Sequence, residues 1–168
     1  MDARIVFKNS DFCLAVWQQT VIYIWRGPST LENLAMKVQA CNELIANGRG
    51  PVTCIGIVER SSPPPEAPVR AALAAWSRDV VPKMAGAVLV AEGSGFRASL
   101  VRGVGLALTT LMPHRIPFKF VATVEEAVAH LAPKLRVASG GAPMLKSVIE
   151  RLRADMDSVG HEDQDKRA

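Results

Sequence analysis

Along the chain, the spacing of apolar residues switches several times between a strand-like and a helical pattern, and this limits the folds that the chain can adopt. Three short runs rich in β-branched and aromatic residues come first: RIVFK (4–8), CLAVWQQ (13–19) and VIYIW (21–25). Short polar connections separate them, and strands so closely spaced pair antiparallel because a parallel pair needs a long crossover. The first part of the chain is therefore predicted to be a β-meander.

Helical and strand-like periods then alternate. STLENLAMKVQACNELIANG (29–48) places apolar residues at steps of three and four, and Ser29 with Glu32 forms a predicted capping box. Further strands are predicted at 51–59, 86–91 and 117–122, and further helices over 69–84, 96–112 and from Thr123 with Glu126 to about residue 135. This order predicts an α/β fold in which N-terminal antiparallel strands lead into a mostly parallel sheet with packed helices.

Apolar stripes indicate which helical residues face the core. In the first helix the stripe consists of Leu31, Leu34, Val38, Cys41 and Ile45. Trp76 lies on the stripe of the second helix and is expected in the core. The alternation in the meander is imperfect, so either Trp17 or Trp25 is expected to face outward.

The composition changes beyond residue 137, where the predicted α/β domain (1–137) ends. Residues 138–157 combine a linker of small residues with an appended amphipathic helix, and 158–168 form a polar tail that is predicted to be disordered. The helix has an apolar stripe of Leu145, Val148, Ile149, Leu152 and Met156. Three roles are open for this stripe: packing on its own domain, docking into another protein or a second copy, or adsorbing to a membrane surface.

Charge and cysteine content restrict the environment and the partners. The formal net charge is +4 at pH 7, but the basic residues are scattered among acids, which makes nucleic acid an unlikely partner. No apolar run is long enough for a membrane span, and no signal peptide is recognisable, so a cytoplasmic protein is expected. Cys13, Cys41 and Cys54 each lie in an apolar pattern and are predicted to be buried, reduced thiols.

No motif for catalysis or metal binding is recognisable. The three histidines, His114, His130 and His161, belong to no triad and have no ligand spacing. Glu125 and Glu126 are adjacent on a predicted helix, so their side chains point about 100° apart and cannot converge on one bond. We therefore expect no enzyme activity, no cofactor and no metal.

The stretch AEGSGFRASLVRG (91–103) follows a predicted parallel strand, where α/β sheets place ligands. An anion-binding turn of Gly93, Ser94, Gly95 and Arg97 is one interpretation. The other is a structural turn with Ser94 as the N-cap, because the dinucleotide-binding pattern G-x-G-x-x-G is incomplete at Ser99. The sequence favours the structural turn.

The element order, the GSGFR turn and the ending FKFVATVEEAVAHL resemble the STAS-like superfamily, the fold of bacterial anti-sigma-factor antagonists, over about residues 4–135. Within it, the chain is most similar to small bacterial STAS-like proteins. The resemblance implies a regulatory module that binds another protein without catalysis. It also implies a phosphorylation switch at Ser61 or Ser62, although Arg60 and a proline run replace the acid and glycine of the family's Asp-Ser-Ser-Gly turn. The alternative is a small-molecule domain with a pocket for an anion or an apolar ligand at the strand ends.

Overall fold

The computed structural model describes residues 2–93, 103, 117–135 and 140–165, and all structural statements below concern these residues. Six strands form one sheet in the order β1-β2-β3-β4-β5-β6. Their bounds are β1 Arg4–Lys8, β2 Phe12–Trp17, β3 Thr20–Trp25, β4 Thr53–Val58, β5 Gly86–Ala91 and β6 Phe118–Val121. β2 pairs antiparallel with both β1 and β3, and the neighbouring strands from β3 to β6 pair parallel. The predicted α/β fold class is confirmed.

The β2–β3 hairpin is tighter than the sequence pattern suggests. Trp17 pairs with Thr20, so Gln18 and Gln19 form the loop instead of extending β2. Gln18 has a φ of 56°, the left-handed conformation that two-residue hairpin loops require. This turn places β3 beside β2 in register and makes it the first strand of the parallel part of the sheet.

Among the described residues, four α-helices pack against the sheet. They are α1 Leu31–Ala46, α2 Ala67–Asp79, α3 Val124–Leu131 and α4 Gly141–Asp165. The N-cap of α1 is Thr30, whose Oγ1 accepts from the Asn33 N–H, and not the predicted Ser29. The N-cap of α3 is Thr123 as predicted, with its Oγ1 accepting from the Glu126 N–H. The predicted helix over 96–112 lies outside the described residues.

The sheet has an apolar cluster on each face. The first cluster joins the sheet to α3 and α4, and it includes Trp17, Ile22 and Ile57. The second joins the sheet to α1 and α2, and it includes Tyr23, Trp25 and Trp76. All three tryptophans are buried, so the expectation that Trp17 or Trp25 faces outward is wrong. The alternation looked imperfect because both faces of β2 and β3 are covered and neither needs polar residues.

The C-terminal helix is part of this core. Its five stripe residues, Leu145, Val148, Ile149, Leu152 and Met156, are buried in the first cluster. Of the three roles left open by the sequence, the structure shows the first: the stripe of α4 packs on its own domain. The helix continues to Asp165 and so extends beyond residue 157, into the segment predicted to be a disordered tail. None of the described helices is both long and apolar enough to span a membrane.

Candidate functional site

The carboxyl edge of the parallel sheet carries a row of charged residues. Arg26, Glu59 and Glu92 directly follow β3, β4 and β5, and the register of these strands aligns their ends. Ligands of α/β sheets bind at this edge. The row is therefore the first place to look for a site.

Two residues of α4, Arg153 and Asp157, complete a network with this row. The Arg26 guanidinium donates to Glu59 (Nε to Oε2, 2.8 Å) and to Asp157 (Nη1 to Oδ1, 2.6 Å). Arg153 donates to Glu92 (Nη2 to Oε1, 2.8 Å), and its Nε lies 3.2 Å from Glu59 Oε1. Both arginines already have carboxylate partners, so an anion would have to displace an acid. The ion pairs of this network join the sheet edge to α4. The geometry does not support an anion pocket built on Arg26 and Arg153.

The two serines implied as phosphorylation sites lie next to this network but differ in exposure. Ser62 is buried, and its hydroxyl donates to the Gly27 carbonyl at 2.9 Å. Ser61 is exposed and donates to the Arg26 carbonyl at 3.0 Å. Ser62 is therefore a buried hydroxyl with a satisfied hydrogen bond, Ser61 is the accessible one of the two, and phosphorylation of either residue stays a prediction.

Of the predicted anion-binding turn, only Gly93 is described. Its φ is +107°, and an added Cβ would lie 3.3 Å from Cγ of Arg60. The backbone conformation therefore favours glycine here, which agrees with a sharp turn after β5. Ser94, Gly95 and Arg97 lie outside the described residues.

An apolar groove of about 690 Å³ lies between α1 and α2. Leu31, Ala35 and Val38 line it from α1, and Ala72 and Trp76 line it from α2. Leu31 is 52% exposed, so this stripe residue does not face the core as predicted. The α1 residues that are buried against the sheet are Leu34, Lys37, Ala40, Cys41 and Leu44, so the inward face is rotated from the predicted one.

Lys37 lies on that inward face and has no exposed surface. Its Nζ lies over three aromatic rings, 3.4 Å from the Trp76 centroid, 4.8 Å from that of Tyr23 and 5.8 Å from that of Trp25. Among the described residues, no hydrogen-bond acceptor contacts this Nζ. Tyr23, Trp25 and Trp76 thus form an aromatic cage whose cation belongs to the protein itself.

Burial lowers the pKa of Lys37 from its ordinary value of 10.5 to about 8, and the neighbouring Cys54 and Cys41 oppose this shift. Burial also raises the pKa of the Cys54 thiol, whereas hydrogen bonding with Cys54 lowers the pKa of Cys41. All three cysteines are free and buried, as predicted. Strongly shifted pKa values of this kind cluster at functional sites.

Lys37 was not among the predicted site residues, although the sequence contains a signal for its burial. Leu34, Lys37, Cys41 and Leu44 recur at steps of three, four and three, so the lysine lies on a helical stripe. A charged residue on such a stripe is normally assigned to the exposed side. The predicted stripe through Leu31 and Val38 contains only apolar residues, so the sequence favours it over the stripe that contains Lys37.

The outer edge of β1 is a second unusual surface. Ile5 and Val6 are adjacent in sequence and each is 40% exposed. The pairing of β1 with β2 is irregular between Ile5 and Phe7, which leaves Val6 without a register partner. Beside this strand, a smaller groove of about 340 Å³ is lined by Ile5, Val148 and Leu152. Asp2 and Arg151 form an ion pair of 2.8 Å among the residues that line it.

The described residues contain no group of three or more His, Cys, Asp or Glu side chains that could hold a metal ion. His130 is partly buried on α3 with its Nε2 3.5 Å from Lys134 Nζ. Burial lowers the pKa of His130, and the nearby Lys134 lowers it further. The contact with Lys134 gives His130 a place in the packing at the end of α3.

Comparisons of the chain with protein-family models, curated proteins and solved structures gave no match. The resemblance to the STAS-like superfamily therefore stays a prediction.

Proposed function

We propose that this protein is a non-catalytic binding module that takes up an extended segment of another protein along β1. The observation that carries the proposal is the exposure of Ile5 and Val6, side by side on the terminal strand of the sheet. Adding a strand to an open sheet edge is a common mode of peptide recognition, because the backbone provides affinity and the side chains provide specificity. The same role agrees with the regulatory function that the STAS-like resemblance implies.

The backbone of β1 supports this mode of binding. Its inner edge pairs with β2, and no other strand among the described residues pairs with it. The open edge therefore offers N–H and C=O groups that a second chain can satisfy. The groove beside Ile5 provides a place for an apolar side chain of the incoming segment.

The charges on β1 indicate the chemistry of the partner. Arg4 and Lys8 flank the apolar centre of the strand. If two copies paired antiparallel about Val6, Arg4 of one copy would lie opposite Lys8 of the other, and like charges in this position are destabilising. A partner segment with an apolar centre and flanking Asp or Glu residues avoids this repulsion. The proposed partner is thus a different protein and not a second copy.

We place this module in the cytoplasm. The three cysteines are free and buried, which fits a compartment where thiols stay reduced. The scattered basic residues favour protein over nucleic acid as the partner.

The test compares Ile5→Asp with Leu31→Asp, since both replace an exposed apolar residue and only the first changes β1. The wild type and both variants are used for affinity isolation from cells that express the protein naturally. We expect a partner that is retained by Leu31→Asp and lost by Ile5→Asp. Equal recovery by both variants would show that β1 is not the docking surface, and dimerisation of the pure protein through β1 would replace the proposed partner with a second copy.

A further inference from the structure

We propose that the groove between α1 and α2 binds a single-chain aliphatic carboxylate, and that Lys37 receives the carboxylate group. This ligand site is separate from the β1 surface, so neither proposal depends on the other. It rests on three observations: unpaired donors in the aromatic cage, an apolar groove next to the cage, and one side chain, Trp76, shared by both.

The aromatic cage contains donors without acceptors. Lys37 Nζ and Trp25 Nε1 are buried and have no hydrogen-bond partner among the described residues, and Trp76 Nε1 has only the Cys41 thiol as a weak acceptor. All three groups can only donate. A carboxylate has two oxygens that can only accept, so it is the chemical group that complements this set.

The position of Lys37 costs stability in the absence of an anion. Cation–π contacts compensate only part of the loss of hydration when an ammonium group is buried. No carboxylate among the described residues forms an ion pair with Lys37. Sites that break the usual rules of burial in this way are often functional.

Trp76 connects the cage to the groove. Its ring lies against Lys37 Nζ, and the same residue lines the groove. Lys37 does not itself line the groove, so the proposal requires this side chain to rotate and admit the carboxylate to the amine. The groove volume of about 690 Å³ falls within the ~300–1,000 Å³ usual for small-molecule sites. An alkyl chain would lie along Leu31, Ala35, Val38 and Ala72.

Two acidic residues that line the groove indicate that the carboxylate of the ligand is buried and does not stay at the groove surface. Glu43 accepts from Gln39 Nε2 at 2.9 Å, and Asp79 forms an ion pair of 2.8 Å with Arg78. Both carboxylates are exposed and would repel an anion that stayed at the surface. The carboxylate of a bound ligand is therefore favoured only next to Lys37, with its chain towards the groove.

The test uses three probes with the same alkyl chain: dodecanoate, dodecanol and dodecylamine, each below its micelle concentration. Calorimetry measures binding, and tryptophan fluorescence reports changes at the cage, which holds two of the three tryptophans of the chain. We expect dodecanoate to bind at least about tenfold more tightly than dodecanol, as a charge-assisted hydrogen bond implies, and dodecylamine to bind weakest. Equal affinity for dodecanoate and dodecanol, or no binding of dodecanoate, would overturn the proposal without the use of any variant.

Two variants locate the site. Lys37→Met should remove the preference for dodecanoate over dodecanol while keeping the apolar groove. Leu31→Asp should weaken both probes, whereas Ile5→Asp on β1 should leave both unchanged. A preference for dodecanoate that survives in a folded Lys37→Met protein would place the carboxylate elsewhere and contradict the assignment.

Discussion

The ring of Tyr23 occupies the space over Gly56, its register partner in the neighbouring parallel strand. A Cβ at position 56 would overlap the ring atoms Cζ and Cε2 of Tyr23 and its hydroxyl oxygen. Gly56 is thus required by packing, although its strand is regular. The relationship holds Tyr23 beneath α1, where its ring forms one side of the cage around Lys37.

Gly56→Ala should therefore be strongly destabilising. We expect a loss of roughly 2–3 kcal/mol in the free energy of unfolding, because the added methyl group must displace a buried ring. Urea denaturation measures this loss. The matched control is the same change in a Tyr23→Leu background, where the overlapping ring atoms are absent. If the cost of Gly56→Ala is the same in both backgrounds, the overlap is not its cause.

Replacement of Lys37 by methionine should stabilise the protein. Methionine has a similar length and needs no hydration, so we expect the free energy of unfolding at pH 7 to rise by about 1–3 kcal/mol. Denaturation in urea at pH 7 measures the change. A loss of stability would mean that the cation–π contacts outweigh the cost of burying the amine.

The stability difference between wild type and Lys37→Met should depend on pH. The folded-state pKa of Lys37, about 8, lies below its ordinary value of 10.5, so the unfolded chain binds the proton more strongly within this window. The wild type should therefore gain stability relative to the variant as pH rises, by roughly 1 kcal/mol between pH 7 and 9.

Other groups at the cage limit this measurement at higher pH. Burial raises the pKa of Cys54 and Tyr23 in the folded protein. Above about pH 9 these two groups ionise more readily in the unfolded chain, so the free energy of unfolding falls as pH rises. Cys41 lies beside them, with its pKa lowered by hydrogen bonding to Cys54. The variant keeps these groups but loses the charge of Lys37, which lowers the pKa of both thiols, so the difference between the two proteins reports Lys37 together with this coupling. Parallel stability curves would contradict the assigned shift.

The ion-pair network at the sheet edge should hold α4 in place. Arg26→Met removes the contacts of Arg26 with Glu59, Asp157 and the Arg153 carbonyl. Arg26 and Glu59 are mostly buried, with side chains only 19% and 17% exposed, so we expect a loss of about 1–3 kcal/mol and faster amide exchange in α4. Arg78→Met, which breaks the exposed pair with Asp79, should cost under about 0.5 kcal/mol. Equal effects of the two variants would contradict a structural role for the network.

The apolar stripe of α4 should behave as core. Ile149→Ala is expected to cost about 2–4 kcal/mol, because Ile149 is buried and its loss leaves a cavity under the sheet. Glu150→Ala, an exposed neighbour on the same helix, is the control and should change stability little. Urea denaturation followed by circular dichroism distinguishes the two. A small effect of Ile149→Ala would mean that α4 leaves the sheet readily and that its stripe is open to a partner.

The spacing of residues in the sequence predicted the strands and helices well wherever a single local constraint decides the structure. The apolar runs that form β1, β2 and β3 are joined by connections of only a few residues. Such connections are too short for a parallel crossover, so antiparallel pairing follows. The Thr123 cap was predictable because its partner Glu126 lies at the required spacing. At α1, Ser29 and Thr30 can both cap, and only the backbone decides between them.

The candidate sites were less predictable because they depend on contacts between distant residues. Arg26, Glu59 and Glu92 each follow a strand, and the aligned strand ends bring them together. Their partners, Arg153 and Asp157, come from a helix whose docking position no local pattern reveals. Lys37 was missed because its burial depends on the three aromatic rings of the cage, which lie on other elements.

The most direct test of the proposed function is site-specific photo-crosslinking in cells, with a photoreactive residue at position 6 or, as the control, at position 31. The two positions are comparably exposed, Val6 at 40% and Leu31 at 52%. We expect position 6 to cross-link to another protein, through a peptide with an apolar centre and flanking acidic residues, and position 31 not to do so. Cross-links from position 31 alone, or from position 6 only to a second copy of this chain, would contradict the proposal.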